Sequence, residues 1–324
     1  MVEAVVATSR QETPVYFEHG EETLFGILTR PFGSEQGVGV VLIYGGGYNM
    51  SANIDQFWPR IARRVAAEGF HVLRFDHHGN GDSTGVVDTF DHRHPFDADL
   101  EAAVDWMRAQ GLDRILLVGD CLGARACLVC AARLESVDGV YAISVVVNDG
   151  TMDRAQEWAA TYGVGHYVRR ALRLSTLRNL RDPVMRKAYV RVTIAKLRNV
   201  FGLSQEPKVV ERMADPEDRR KVTVSDNFLE PVEGALSRGV AIDFVFGVDD
   251  EERIARFDDA REGRLGEMLA DAGSLVEITT LPGGLANVPD VQAQDSVVED
   301  VAVWASSRVL RDRDGARDSG DRVS

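Results

Sequence analysis

One cysteine in the chain has neighbours that favour nucleophilic chemistry. An apolar strand pattern at 115–118 leads directly into Gly119-Asp120-Cys121-Leu122-Gly123, and a helical pattern rich in Ala, Leu and Val follows. The Gly-x-Cys-x-Gly spacing predicts a tight strand-to-helix turn that holds Cys121 above the sheet. We expect the start of the helix to favour the thiolate, and the Leu122 N–H to bind a developing oxyanion.

The other two cysteines, Cys127 and Cys130, lie further along the same helical pattern. A Cys-x-x-Cys pair can serve redox chemistry or bind a metal. No second ligand pair accompanies it, so core packing is the better interpretation. The pairs His77/His78 and His92/His94 likewise lack partners at a convincing spacing, and we predict no metal site.

Acidic residues follow a second apolar strand pattern, at 241–247. Asp249 and Asp250 both lie where a carboxylate can orient a catalytic imidazole. We favour Asp249 slightly and keep Asp250 as the alternative, while Asp149 is a weaker candidate.

A glycine run, Gly45-Gly46-Gly47, follows the buried strand pattern at 38–44. Glycine lets a backbone N–H approach a substrate closely, so this loop is expected to supply a second oxyanion donor, with Gly46 the preferred residue. Three aromatic side chains are candidates for the wall of a substrate pocket: Tyr48, Trp158 and Tyr162.

The elements that position these residues alternate between strand and helix patterns. A β-hairpin is predicted near 15–31, and the later strands are apolar throughout, which is typical of a parallel sheet covered on both faces. The alternation stops at 149–238, where helical patterns broken by prolines predict a lid. We therefore expect an α/β core from 1–148 and 239–310, with a disordered tail at 311–324.

Composition narrows the function classes. The 324-residue chain has a net charge of −14, which disfavours nonspecific nucleic-acid binding, and it has no apolar run long enough to span a membrane. Three cysteines and the lack of a signal-peptide pattern predict a cytoplasmic protein.

Within 165–200, ten Arg and Lys residues accompany a single acid, Asp182. That stretch is either a solvated helix face or a docking surface for an acidic carrier protein or the anionic arm of coenzyme A.

Three segments together resemble the α/β-hydrolase superfamily. They are the Cys121 turn, the loop Asp76-His77-His78-Gly79-Asn80-Gly81-Asp82-Ser83-Thr84-Gly85, and the segment Leu281-Pro282-Gly283-Gly284-Leu285-Ala286-Asn287. Within this superfamily, the chain resembles cysteine-elbow hydrolases associated with exosortase systems and acyl-transfer enzymes of natural-product pathways. This resemblance implies an α/β-hydrolase fold with a mostly parallel sheet and a helical lid. It also implies that Ala286 stands in the position of the catalytic histidine.

The resemblance implies acyl transfer or thioester/ester hydrolysis, with an acyl thioester or ester as substrate and no cofactor. Because Ala286 replaces the base while its surroundings are retained, we expect an inactivated or trapped form, and deliberate inactivation is favoured over a natural variant. Three alternatives remain open. They are a lyase or cyclase of a natural-product pathway on the same scaffold, a non-catalytic ligand-binding pseudo-hydrolase, and a polyester synthase, which shares the cysteine elbow but is expected to be longer and more apolar.

Overall fold

The computed structural model describes residues 11–31, 33–45, 52, 54–85, 89–91, 96–148, 151–153, 225–286 and 291–320. The chain divides into two compact units. The larger comprises 1–85, 94–149 and 221–324, and the smaller comprises 86–93 and 150–220.

The strands of the described residues fall into two sheets. In chain order they are β1 Glu12–His19, β2 Glu22–Thr29, β3 Val38–Ile43, β4 His71–Phe75, β5 Thr89–Asp91, β6 Arg114–Asp120, β7 Val137–Ile143, β8 Thr151–Asp153, β9 Ala241–Gly247 and β10 Val276–Leu281. Eight of them form the sheet of the larger unit, in the order β1-β2-β4-β3-β6-β7-β9-β10. β1 pairs with β2, and β2 with β4, antiparallel, and the remaining pairs are parallel. β5 and β8 form a separate antiparallel pair in the smaller unit.

Helices cover both faces of the large sheet. They are α1 Phe57–Ala67, α2 Asp97–Ala109, α3 Cys121–Arg133, α4 Asp226–Ser237, α5 Glu251–Arg261, α6 Arg264–Ala272 and α7 Val291–Gly320. α1 and α7 pack on one face, and the buried side chains of α2 to α6 form the core on the other. Double coverage explains why β3 is buried along its whole length and why its sequence is apolar without alternation. The predicted α/β-hydrolase architecture with its mostly parallel sheet is confirmed.

Two segments differ from the expected boundaries. α4 was expected within the lid, yet Phe228 and Val232 are fully buried in the main core, and a Cβ added at Gly234 would lie 2.9 Å from Ala132 Cβ. The helix belongs to the core because its apolar face covers α3. α7 continues to Gly320, through part of the expected tail. Residues 154–224, which hold most of the expected lid, lie outside the described residues.

Within the described part of the chain, no helix is both long enough and apolar enough to cross a membrane.

Candidate active site

The turn between β6 and α3 has the geometry that the Gly-x-Cys-x-Gly spacing predicts. Cys121 has φ 51°, a left-handed conformation that is uncommon for a residue other than glycine. A Cβ at Gly119 would lie 2.6 Å from the backbone of Gly123, and one at Gly123 would lie 2.6 Å from the Ile43 carbonyl oxygen. Both contacts are with backbone atoms, so only glycine fits at positions 119 and 123, two residues before and two residues after Cys121.

The loop after β3 is attached directly to this turn. The Gly45 N–H donates a 2.6 Å hydrogen bond to the Asp120 carboxylate, so this amide is already used within the protein. A Cβ at Gly45 would lie 2.4 Å from the Leu122 nitrogen, which shows how closely the two segments approach. Leu122, the first expected oxyanion donor, is therefore at the junction of both loops. Gly46, the second, lies outside the described residues.

Charge and burial have opposite effects on the pKa of the Cys121 thiol. The side chain is half-buried, and the Arg253 guanidinium on α5 is 3.6 Å from Sγ. Burial is the largest effect on the Cys121 thiol and raises its pKa above the usual value; the charge of Arg253 and the Leu122 backbone amide offset this only in part. The start of α3 was expected to favour the thiolate, but the net direction is the opposite. Desolvation of the sulfur outweighs the favourable groups.

Asp120, the last residue of β6, is buried. Burial raises the pKa of its carboxyl to about 6, although the hydrogen bond from the Gly45 N–H favours the ionised form. A buried, ionisable carboxyl thus lies next to the cysteine in sequence and also raises the pKa of the thiol.

Of the two candidate acids after β9, one is buried and one is exposed. Asp249 is solvent-exposed. Asp250 is only 7% exposed and accepts hydrogen bonds from Ser144 Oγ at 2.6 Å and from the Gly247 N–H at 3.0 Å. It also accepts from the N–H groups of Leu285 and Ala286, each at 3.0 Å. The Asp250 carboxylate therefore joins the ends of β7, β9 and β10.

The position expected to hold a histidine lies against this carboxylate. The backbone N–H of Ala286 contacts both Asp250 oxygens, at 3.0 and 3.1 Å. The turn that carries Ala286 approaches β9 very closely, since a Cβ at Gly247 would lie 2.3 Å from the Gly283 carbonyl oxygen. Ala286 thus occupies a tightly defined position next to a buried acid, without an imidazole.

A family model described as the alpha/beta hydrolase fold matches residues 39–212, more than half of the chain. The chain belongs to the α/β-hydrolase family. An acyl transferase of Photobacterium leiognathi is 28% identical over 102 residues, which are 30% of this chain and 32% of that protein. The chain thus matches only about a third of the length of this curated relative.

Solved structures of similar fold include three enzymes. An esterase of Pyrococcus furiosus is 15% identical, with a TM-score of 0.55, and the match covers 94% of this chain and 93% of that one. A carboxylesterase of Nitrososphaera gargenis is 14% identical, with a TM-score of 0.54 over 93% and 100% of the two chains. The ferulic-acid-bound Est1E of Butyrivibrio proteoclasticus is 14% identical, with a TM-score of 0.53 over 91% and 99%. At this identity, the likeness shows the fold alone.

In this α/β hydrolase, Arg253 contacts Cys121, which the sequence patterns do not predict. It follows Asp250 by three residues, in the first turn of α5, within an acidic stretch that reads as an ordinary helix start. No local pattern marks this contact, because it joins residues that lie 132 positions apart in the chain.

A second polar cluster adjoins the glycine loop. His77 is completely buried, hydrogen-bonds to the Tyr44 carbonyl oxygen through Nε2 at 2.9 Å, and stacks on Phe96. Its Nδ1 faces Asp99 at 3.6 Å, and His78 Nδ1 contacts the same carboxylate at 2.8 Å. Asp99 has its pKa held well below the usual range by these hydrogen bonds and charges, despite burial. Among the described residues, no group of three or more His, Cys, Asp or Glu side chains is arranged to hold a metal ion.

The other two cysteines of the α/β hydrolase, Cys127 and Cys130, are free and completely buried among core residues of α3. The expected pocket residues Tyr48, Trp158 and Tyr162 lie outside the described residues, as does the basic stretch at 165–200.

Proposed function

We propose that this α/β hydrolase acts on an acyl thioester or ester through nucleophilic attack by Cys121. The observation that carries the proposal is the Cys121 backbone, held at φ 51° between two glycines that no other residue can replace. A strained conformation of this kind persists only where the surrounding structure enforces it, and it is typical of functional sites. Here it presents a half-buried sulfur at the carboxyl end of β6, where α/β sheets place their ligands.

The proposed reaction has two steps. Cys121 Sγ attacks the acyl carbonyl carbon, the bond to the leaving thiol or alcohol breaks, and the leaving group takes up the proton lost by the Cys121 thiol. Water or an acceptor nucleophile then attacks the acyl-cysteine, restoring the thiol and releasing acid or transferred product. The Leu122 N–H would stabilise the oxyanion in both steps, together with an N–H from the Gly46 loop.

We propose Asp250, rather than Asp249, as the acid of this site. Its burial and its contacts with both the Ser144 hydroxyl and the Ala286 backbone support this choice, because an orienting carboxylate must be fixed and close to the base. Ala286 would then be the position from which an imidazole bridges Asp250 and Cys121. Without that base the raised thiol pKa slows attack and leaves deacylation uncatalysed, so we expect slow formation and long persistence of the acyl-cysteine.

Carrier proteins and coenzyme A remain the proposed acyl donors, and the proposal rests on the basic composition of 165–200. The lid that would contain this stretch, with Trp158 and Tyr162, would select the acyl chain. A titration with an acylated carrier protein at low and at high salt tests the docking. Binding that weakens as salt rises supports it, and salt-insensitive binding or none contradicts it.

The nucleophile is tested by intact-protein mass spectrometry after incubation with small acyl thioesters and activated esters. We expect one acyl group per chain in the wild type and in Cys127→Ala, and none in Cys121→Ala. The Cys127 variant is the matched control because it removes a thiol of the same helix that is buried. An adduct that survives in Cys121→Ala, or no adduct in the wild type, contradicts the proposal.

A non-catalytic binding role is the second candidate, favoured by the contacts of Asp250. Four protein donors hold its carboxylate, which gives Asp250 a structural role that needs no histidine. Tight binding of acyl thioesters without formation of an adduct would favour this alternative.

A further inference from the structure

In the part of the chain that the structure describes, Arg253 differs from the other arginines near it because it has no acidic side chain as a direct partner. Arg256 pairs with Glu252 at 2.6 Å and Arg261 with Asp258 at 3.2 Å on the same helix, and Arg264 pairs with Glu233 at 2.5 Å. Within the described residues, the Arg253 guanidinium has Cys121 Sγ as its hydrogen-bond partner and forms no ion pair. Among the described residues, this half-buried cation next to Cys121 thus has no carboxylate in direct contact.

The sulfur does not supply the missing negative charge. Burial keeps the pKa of Cys121 above its usual value, so the resting group is a neutral thiol at pH 7. The Asp120 carboxylate interacts electrostatically with Arg253, but it is buried and accepts its hydrogen bond from the Gly45 N–H. The planar donor fork of Arg253 therefore remains available to an anion that enters the site.

We propose that Arg253 is a carboxylate subsite, so that the substrate class is a short acyl thioester or ester with a carboxylate near its reacting carbonyl. This inference rests on the proposed function. The acyl carbon bonds directly to Sγ, and the guanidinium is 3.6 Å from that atom. A carboxylate a few carbons from the acyl carbonyl therefore comes within hydrogen-bond reach of the guanidinium. Paired N–H donors and a planar carboxylate form the strongest type of charge-assisted contact.

Alkylation tests the subsite without any acyl chemistry. Iodoacetate and iodoacetamide both react with Cys121 when the thiolate displaces iodide and forms a carbon–sulfur bond, and the thiol proton goes to solvent. They differ in that only iodoacetate carries a carboxylate. Any change in thiol pKa alters both rates alike, so the ratio of the two rates isolates recognition of the carboxylate.

We measure the ratio of the iodoacetate rate to the iodoacetamide rate at Cys121, normalised to free cysteine. We expect this ratio to be at least about ten-fold higher in the wild type than in Arg253→Gln. Arg253→Lys should retain part of the preference because it keeps the charge without the fork. Arg256→Gln, which removes an arginine one turn further along α5, should match the wild type. A ratio that is the same in the wild type and Arg253→Gln overturns the subsite, whatever the absolute rates.

A pair of acyl donors separates failure of the subsite from failure of the proposed function. Succinyl and butyryl thioesters of the same small thiol differ at the far end of a four-carbon chain, where one has a carboxylate. Faster acylation of Cys121 by the succinyl donor, with the preference lost in Arg253→Gln, supports the subsite. Equal labelling by both donors overturns the subsite and leaves the nucleophile in place, whereas labelling by neither overturns both.

Discussion

The turn that holds Cys121 and the turn that holds Asp250 differ in whether the proposed reacting group is present. Around Cys121, backbone contacts exclude any side chain at Gly119 and Gly123, and the strained φ angle is retained. Around Asp250, four donors fix the carboxylate, yet the residue that it would orient is Ala286. On our proposal, the first region has its reacting group, and the second has only the residues that would support one.

This difference indicates that the Asp250 carboxylate matters for stability, whereas an imidazole at position 286 would matter for chemistry. The Asp250 carboxylate connects the ends of three strands, so losing it would leave several buried donors unpaired. An imidazole at position 286 would contribute to chemistry far more than to packing, since the Ala286 contact with Asp250 is made by the backbone. The hydrogen bonds of Asp250 are therefore kept without a histidine at position 286.

The largest expected effect comes from filling the space at the nucleophile turn. Gly123→Ala places a methyl group 2.6 Å from the Ile43 carbonyl oxygen, and neither backbone can move without disturbing β3. We expect a loss of roughly 4 kcal/mol or more in the free energy of unfolding, beyond the usual cost of overpacking. Urea unfolding measures it. The control is Gly263→Ala, whose nearest contact would be 3.8 Å and whose cost should stay below about 1 kcal/mol. Equal losses would show that the turn is not constrained.

The next effect separates the two neighbouring acids. In Asp250→Asn, an amide NH₂ replaces a carboxylate oxygen and faces N–H and O–H groups that need an acceptor. We expect this substitution to lower the free energy of unfolding by about 3–4 kcal/mol. Asp249→Asn alters an exposed side chain and should change it by less than about 0.5 kcal/mol. Thermal and urea unfolding of the pair give the comparison. A larger loss in Asp249→Asn would reverse our assignment of the acid.

A somewhat smaller effect concerns the carboxyl beneath the nucleophile. The Asp120 pKa of about 6 lies above the unfolded value of 3.8, so the native state binds more protons between these two values. The contribution of Asp120 is therefore fully favourable at acidic pH and is lost as the pH rises from about 4 to about 6, by up to roughly 3 kcal/mol. Asp120→Asn keeps an acceptor for the Gly45 N–H and removes this loss. We expect the variant to gain stability relative to the wild type over that window in urea titrations at stepwise pH.

A difference between the two proteins that stays constant from pH 4 to pH 7 would contradict the assigned shift. It would mean that Asp120 titrates alike in the folded and unfolded states.

Features that depend on a few consecutive residues were predictable from the sequence. The Cys121 turn follows from five residues, and the parallel sheet from strands that are apolar throughout. The choice between Asp249 and Asp250 was not predictable, because it depends on Ser144, which lies 106 residues away in the chain. Helix α4 was assigned to the lid since an amphipathic pattern shows that a face is buried without showing what covers it. The role of Arg253 was not predictable either, because its contact with Cys121 joins residues that lie 132 positions apart in the chain.

The central claim is that Cys121 is a competent nucleophile whose base is missing at position 286. The most direct test compares turnover of a thioester by the wild type and by Ala286→His, with Ala286→Gln as a control for size and polarity. We predict that turnover increases about 10²-fold or more in Ala286→His and not in Ala286→Gln. The persistent acyl adduct on Cys121 should be lost in Ala286→His. Equal turnover in all three proteins would contradict the account.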